Sequence, residues 1–150
     1  MEQHARKYRT WLAASLWGAM LLAPQVAKPA EAPSQVQVAR RFLLAVLAGH
    51  LGAAYRLLAP EAKVQWSTKQ FAAAAQPLYA EGQRRGPTID LYKFGFRIGD
   101  VDTQPFCAFM FRSDSTAAKP QVQLDVTFGS QQARLVQGFS LIRLAADSAR

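Results

Sequence analysis

One cysteine and two histidines are the whole thiol and imidazole complement of this 150-residue chain. Nucleophilic catalysis needs a base within hydrogen-bond reach of a serine or cysteine. His4 falls in a leading segment treated below, so His50 is the one imidazole left, and it sits at an expected helix boundary. Cys107 lies in Phe106-Cys107-Ala108-Phe109-Met110-Phe111, apolar surroundings that raise a thiol's pKa and make it a packing residue. Zinc and iron centres need three or four clustered His, Cys or carboxylate ligands, and one usable His with one Cys falls short of that. Asp100-x-Asp102 lacks the remaining oxygen ligands of a calcium loop and reads as a hairpin turn with solvated carboxylates. There is no Gly-x-Ser-x-Gly, and the nine glycines are dispersed at turns rather than gathered into a phosphate loop. No catalytic residue, metal or cofactor is assigned on this basis.

The remaining candidates are Asp125 and four aromatic residues with polar tips, Tyr55, Trp66, Tyr79 and Tyr92. Such aromatics pack well and can also orient a ligand inside a cavity, so they are taken as ligand-binding candidates. Asp125 alternates with Gln121, Gln123 and Thr127 on what reads as the outward face of a strand. Should that face line a cavity instead, Asp125 becomes a buried acid with a raised pKa and a candidate general base.

Half of the residues are hydrophobic and 19% are charged, enough apolar material for one domain with a core of its own. The formal net charge of +8 is scattered, with Arg40-Arg41 and Arg84-Arg85 the densest pairs. Nucleic-acid binders concentrate charge along one face and interleave stacking aromatics, so nucleic acid is not an expected partner. A single thiol cannot bridge within the chain, which leaves core burial to hold the fold.

The first 32 residues read as a signal peptide. Arg6, Lys7 and Arg9 precede an uncharged run from Trp11 to Ala23, and Ala30-Glu31-Ala32 offers a cleavage signal. At about 1.5 Å per residue that run is too short to cross a bilayer core of roughly 30 Å unaided. The chain is therefore expected to be exported to a periplasmic or extracellular space. It meets a membrane only if the segment stays uncleaved. No cysteine follows the run to carry a lipid.

The elements divide at Gly86, with helical periodicity before it and alternation after it. The spacing predicts a helix from Gln35 to Ala48, opened by a Ser34/Gln37 capping box and stopped by Gly49. A short helix from His50 or Leu51 to Leu58 should end at Ala59-Pro60, because a residue before proline avoids helical angles. A third helix opens at Thr68 behind a Ser67/Gln70 box, kinks at Pro77 and stops at Gly82. Four strands follow, at Thr88 to Ile98, Pro105 to Ser113, Gln121 to Phe128 and Gln132 to Leu144, with residues 146–150 as a tail. Tyr92, Phe94, Phe96 and Ile98 share one face of the first strand by alternation. Three helices and then an antiparallel meander make an α+β domain over residues 33–145. The helices cover one face of the sheet, yet the first two strands read as apolar on both. A homodimer packed sheet to sheet is the expected cover.

The stretch from Val38 to Leu144 resembles the nuclear-transport-factor-two-like superfamily, a cystatin-like α+β fold, and in particular its small exported members. The resemblance rests on Ala39 to Lys63 (ARRFLLAVLAGHLGAAYRLLAPEAK), on Val64 to Ala74 (VQWSTKQFAAA) and on Leu135 to Leu144 (LVQGFSLIRL). Ala54-Tyr55 and Leu58-Ala59-Pro60 match the superfamily's short second helix and the turn after it. This implies a curved sheet wrapped around three helices as a cone with an apolar cavity. The acid–base set of the superfamily's ketosteroid isomerases has no motif match here. The expectation is a non-catalytic domain that binds a small apolar ligand in the cone or a protein through its sheet. Two alternatives stand beside it: a cofactor-independent isomerase, cyclase or hydratase using Asp125 with Tyr55 or Tyr92, and a structural assembly module of the cell envelope.

Overall fold

The structure, a computed structural model, describes residues 31–99 and 102–144. The expected signal peptide, the middle of the first hairpin turn and the tail at 146–150 lie outside the described residues. The described part is α+β, with four α-helices and one four-stranded antiparallel sheet. The helices are α1 (Gln35–Leu47), α2 (Leu51–Arg56), α3 (Pro60–Gln65) and α4 (Thr68–Arg85). The strands β1 (Ile89–Ile98), β2 (Thr103–Phe111), β3 (Val122–Phe128) and β4 (Val136–Arg143) pair in chain order as a meander.

Both capping boxes form. Ser34 Oγ accepts from the Gln37 amide at 3.2 Å while Gln37 Oε1 accepts from the Ser34 amide at 2.8 Å, and Ser67 with Gln70 repeats the arrangement. Gly49 ends α1 with φ +76.

Several boundaries differ from the sequence reading. β4 opens at Val136 rather than Gln132, because residues 131–132 are still in the turn, β2 runs Thr103–Phe111 rather than from Pro105 to Ser113, and α2 ends at Arg56 rather than Leu58. Two further differences concern the helices. Among the described residues the helices number four rather than three, because Pro60 opens α3 as well as ending the chain's run from α2. Proline's fixed φ and missing N–H suit the first position of a helix. The last helix also continues past Gly82 to Arg85, and its stop is Gly86 with φ +89. Gly82 instead sits where α4 meets α1, and a Cβ there would lie 2.8 Å from Leu47 Cδ2. Pro77 lies within the helix on its exposed side.

The core lies between the helices and one sheet face. Val38, Phe42 and Val46 of α1 and Phe71 and Leu78 of α4 pack against Phe109, Leu124, Val126 and Phe128. The α2–α3 link is stitched to β4, since the Ala59 amide donates to Val136 O and the Val136 amide to Leu57 O, both at 2.8 Å.

β1 is irregular. A bulge between Leu91 and Lys93 shifts the register, so Leu91 faces Phe109 of β2 but Phe94 faces Cys107. Odd-numbered Ile89 and Leu91 point to the helices before the bulge, and even-numbered Phe94, Phe96 and Ile98 do so after it. The opposite face of β1 beyond the bulge carries Lys93, Gly95 and Arg97. The sequence reading of an apolar second face therefore holds for β2 (Phe106, Ala108, Met110) and not for this part of β1.

β3 departs from expectation in exposure rather than direction. Gln123, Asp125 and Thr127 do turn away from the helices, but all three are buried, and only Gln121 of that expected outward set is exposed.

Candidate functional site

Tyr55 and Trp66 come together. The Tyr55 hydroxyl donates to the Trp66 carbonyl at 3.0 Å, tying α2 to the end of α3. Their rings join Phe42, Phe71 and Phe139 in one cluster, with Tyr55–Phe71 centroids at 5.5 Å, Trp66–Phe139 at 5.1 Å and Phe71–Phe139 at 5.5 Å. Edge-on packing at these distances leaves no room for a ligand between the paired rings, three of which (Tyr55, Trp66, Phe139) are only partly buried. The other two aromatic candidates stand apart from it. Tyr79 lies over the α1–α2 turn, 3.3 Å from where a Gly49 side chain would begin, and Tyr92 sits at the β1 bulge beneath the Lys93 ammonium.

Asp125 is fully buried on the sheet face away from these rings. Its carboxylate pairs with the Arg97 guanidinium and accepts from Gln123 Nε2. Arg97 itself stacks 4.8 Å over the Phe106 ring. Asp125 is thus a satisfied anion beneath an arginine, and the sheet separates it from Tyr55. Gln123 Oε1 is buried without a hydrogen-bond partner.

Two clefts open at the end of the molecule where the β1–β2 hairpin projects. The larger, about 870 Å³, lies between the start of α3, the hairpin tip and the β3–β4 connection, with Arg97, Glu61, Asp102, Gln104 and Arg134 among its polar lining. The smaller, about 470 Å³, is a groove between the start of α1 and the strands, walled by Val36, Phe94, Phe96, Pro105, Phe106 and Cys107. None of Tyr55, Trp66, Tyr79, Tyr92 and Asp125 lines either one. The groove rings are well exposed, Phe94 at 69% and Phe96 at 50%. Their Phe-x-Phe alternation was legible in the sequence as one face of the first strand. Only the reach of α1 shows that no helix covers them.

Several other ionisable groups are buried or paired away from the clefts. Burial pushes the Cys107 thiol up to about 11. His50 is exposed at the start of α2 and makes no capping bond through its side chain. Arg112 grips Asp90 through two bonds of 3.0 and 2.8 Å and holds its carboxyl below the ordinary range. Buried Glu81 draws Arg84, Arg85 and Arg143, while Arg85 also reaches Asp114 at 2.7 Å. Among the described residues no cluster of three or more His, Cys, Asp or Glu could hold a metal ion, and no helix is long and apolar enough to cross a membrane.

No family model matches the chain, and comparison with curated proteins and with solved structures finds no similar one.

Proposed function

We propose that this is an exported, non-catalytic domain of the nuclear-transport-factor-two-like kind, its sheet curved around the helices as a cone. It holds a small, largely apolar ligand in the groove between the start of α1 and the β1–β2 strands. The observation that carries this reading is the pair of exposed rings, Phe94 and Phe96, facing that groove beside Val36 and Pro105. A groove of about 470 Å³ falls within the roughly 300–1,000 Å³ typical of small-molecule sites, and its apolar lining suits an apolar guest. The direct contacts of Phe139 with Phe42 and Phe71 between the helices and the sheet support a groove in preference to a deep central cavity. The absence of catalysis is supported by the state of each candidate group. Cys107 is a protonated thiol, His50 is exposed and makes no capping bond, and Asp125 is engaged by Arg97 and Gln123 on the sheet face away from Tyr55.

Native mass spectrometry of the isolated chain, with titration of an anilinonaphthalene sulfonate dye, tests the reading. A co-purified small molecule or saturable dye binding is expected, weakened about ten-fold in Phe94→Ser by loss of one partly exposed ring face. A bare chain that binds no dye, or a Phe94→Ser chain that binds as well as the parent, refutes it.

A further inference from the structure

We infer that two copies of this chain join edge to edge through β1, beyond its bulge, to form one continuous sheet. The inference does not depend on the groove holding a ligand. β1 is an outer strand, and from Phe94 to Ile98 its free edge has no backbone partner among the described residues. An exposed edge with unpaired backbone N–H and C=O groups is a ready template for another strand. Phe94, Phe96 and Ile98, the last 88% exposed, share the helix side of this edge. Aromatic side chains contribute about 150–250 Å² each when fully buried and an isoleucine somewhat less, so at 69%, 50% and 88% exposure these three leave roughly 400 Å² uncovered. That is close to the apolar share of the ~800 Å² each partner buries in a standard interface.

The residues also select a register. Like charges directly opposite one another destabilise an antiparallel pair. A two-fold axis at Gly95 would set Lys93 against Arg97 of the second copy, and an axis at Arg97 would oppose the two arginines. An axis at Phe96 avoids both. It pairs Phe94 with Ile98 of the second copy and Phe96 with its own equivalent, all on the helix side. On the other side it sets Arg97 against Gly95, which has no side chain to clash. This contact joins edges, unlike the face-to-face packing expected from the apolar patterning of the first two strands. It leaves Arg97 free to keep its bond to Asp125.

Gly95 supplies the test. A Cβ there meets Phe106 Cε1 at 3.8 Å, an ordinary contact, so the fold accepts a side chain. Sedimentation of the full chain should show a dimer at micromolar concentration. Gly95→Arg, which faces Arg97 of the second copy twice over, should weaken it by roughly two- to thirty-fold, and Gly95→Asp should tighten it by a similar factor. Circular dichroism of both variants verifies the fold, and their equal loss of glycine makes the charge the variable. A monomer at tens of micromolar overturns the inference, as does a dimer whose dissociation constant ignores the sign of the charge at Gly95. Dye binding by a monomeric chain would sink this contact and leave the ligand groove standing.

Discussion

Cys107 shows how far a local window can be trusted. Four of the five residues around it in Phe106 to Phe111 are large and apolar, and the side chain is buried as those neighbours suggest. With its thiol at about 11, almost none of it is thiolate at pH 8. The native chain should therefore react with an aromatic disulfide reagent at least ~100-fold more slowly than the urea-unfolded chain at that pH. Equal rates would show that the thiol is neither buried nor shifted. Asp125 is the opposite case. Its direction was legible from alternation with Gln123 and Thr127, but its burial was not, because Arg97 reaches it from 28 residues away.

Helix ends divide in the same way. The Ser34/Gln37 and Ser67/Gln70 boxes are bonds between residues three apart, so the sequence contains the whole interaction. Gly82 and Gly86 are indistinguishable as local stop signals. What separates them is Leu47, on another helix, which occupies the space a Gly82 side chain would need. Substitution should expose this. Gly82→Ala gains helix propensity of about 1 kcal/mol but overpacks against buried Leu47, for a net loss near 1 kcal/mol. Gly52→Ala, on an exposed turn of α2 with nothing within 4 Å, should instead stabilise by up to about 1 kcal/mol. Urea denaturation compares the two, and a stabilising Gly82→Ala would remove the close-packing account. The β1 bulge belongs here as well. It reverses which residues face the helices, and simple alternation carries no sign of it.

At the far end of the molecule a charged network joins four parts of the chain. Glu81, 1% exposed, takes Arg85 at 2.9 Å and Arg143 of β4 at 2.7 Å as well as Arg84, and Asp114 accepts from Arg85 and from the Gln121 amide at 3.0 Å. Arg84-Arg85 reads as part of a scattered basic surface, but both arginines have partners. The Arg84 hydrogen bond foremost, with Arg85 and Arg143, lowers Glu81 from 4.5 to about 2. A carboxyl depressed on folding contributes stability that is complete above its unfolded pKa, near 4.5, and is lost as pH falls toward 2. Unfolding free energy should decline over that window. Glu81→Gln should lower stability at pH 7 by about 2–4 kcal/mol, because three arginines lose a buried anion, and should flatten the decline. Guanidinium denaturation at pH 7, 4 and 3 measures both, and an unchanged slope would assign the acid sensitivity to other carboxylates.

The α+β class, the order of four strands and the starts of the two capped helices follow from the chain alone, because periodicity and capping act over two to four residues. The extra helix at Pro60, the true end of α4, the uncovered rings of Phe94 and Phe96 and the partners of Glu81 and Asp125 follow only from the assembled fold. Exposure and ion pairing depend on what arrives from tens of residues away, and no local pattern records how far a neighbouring helix reaches.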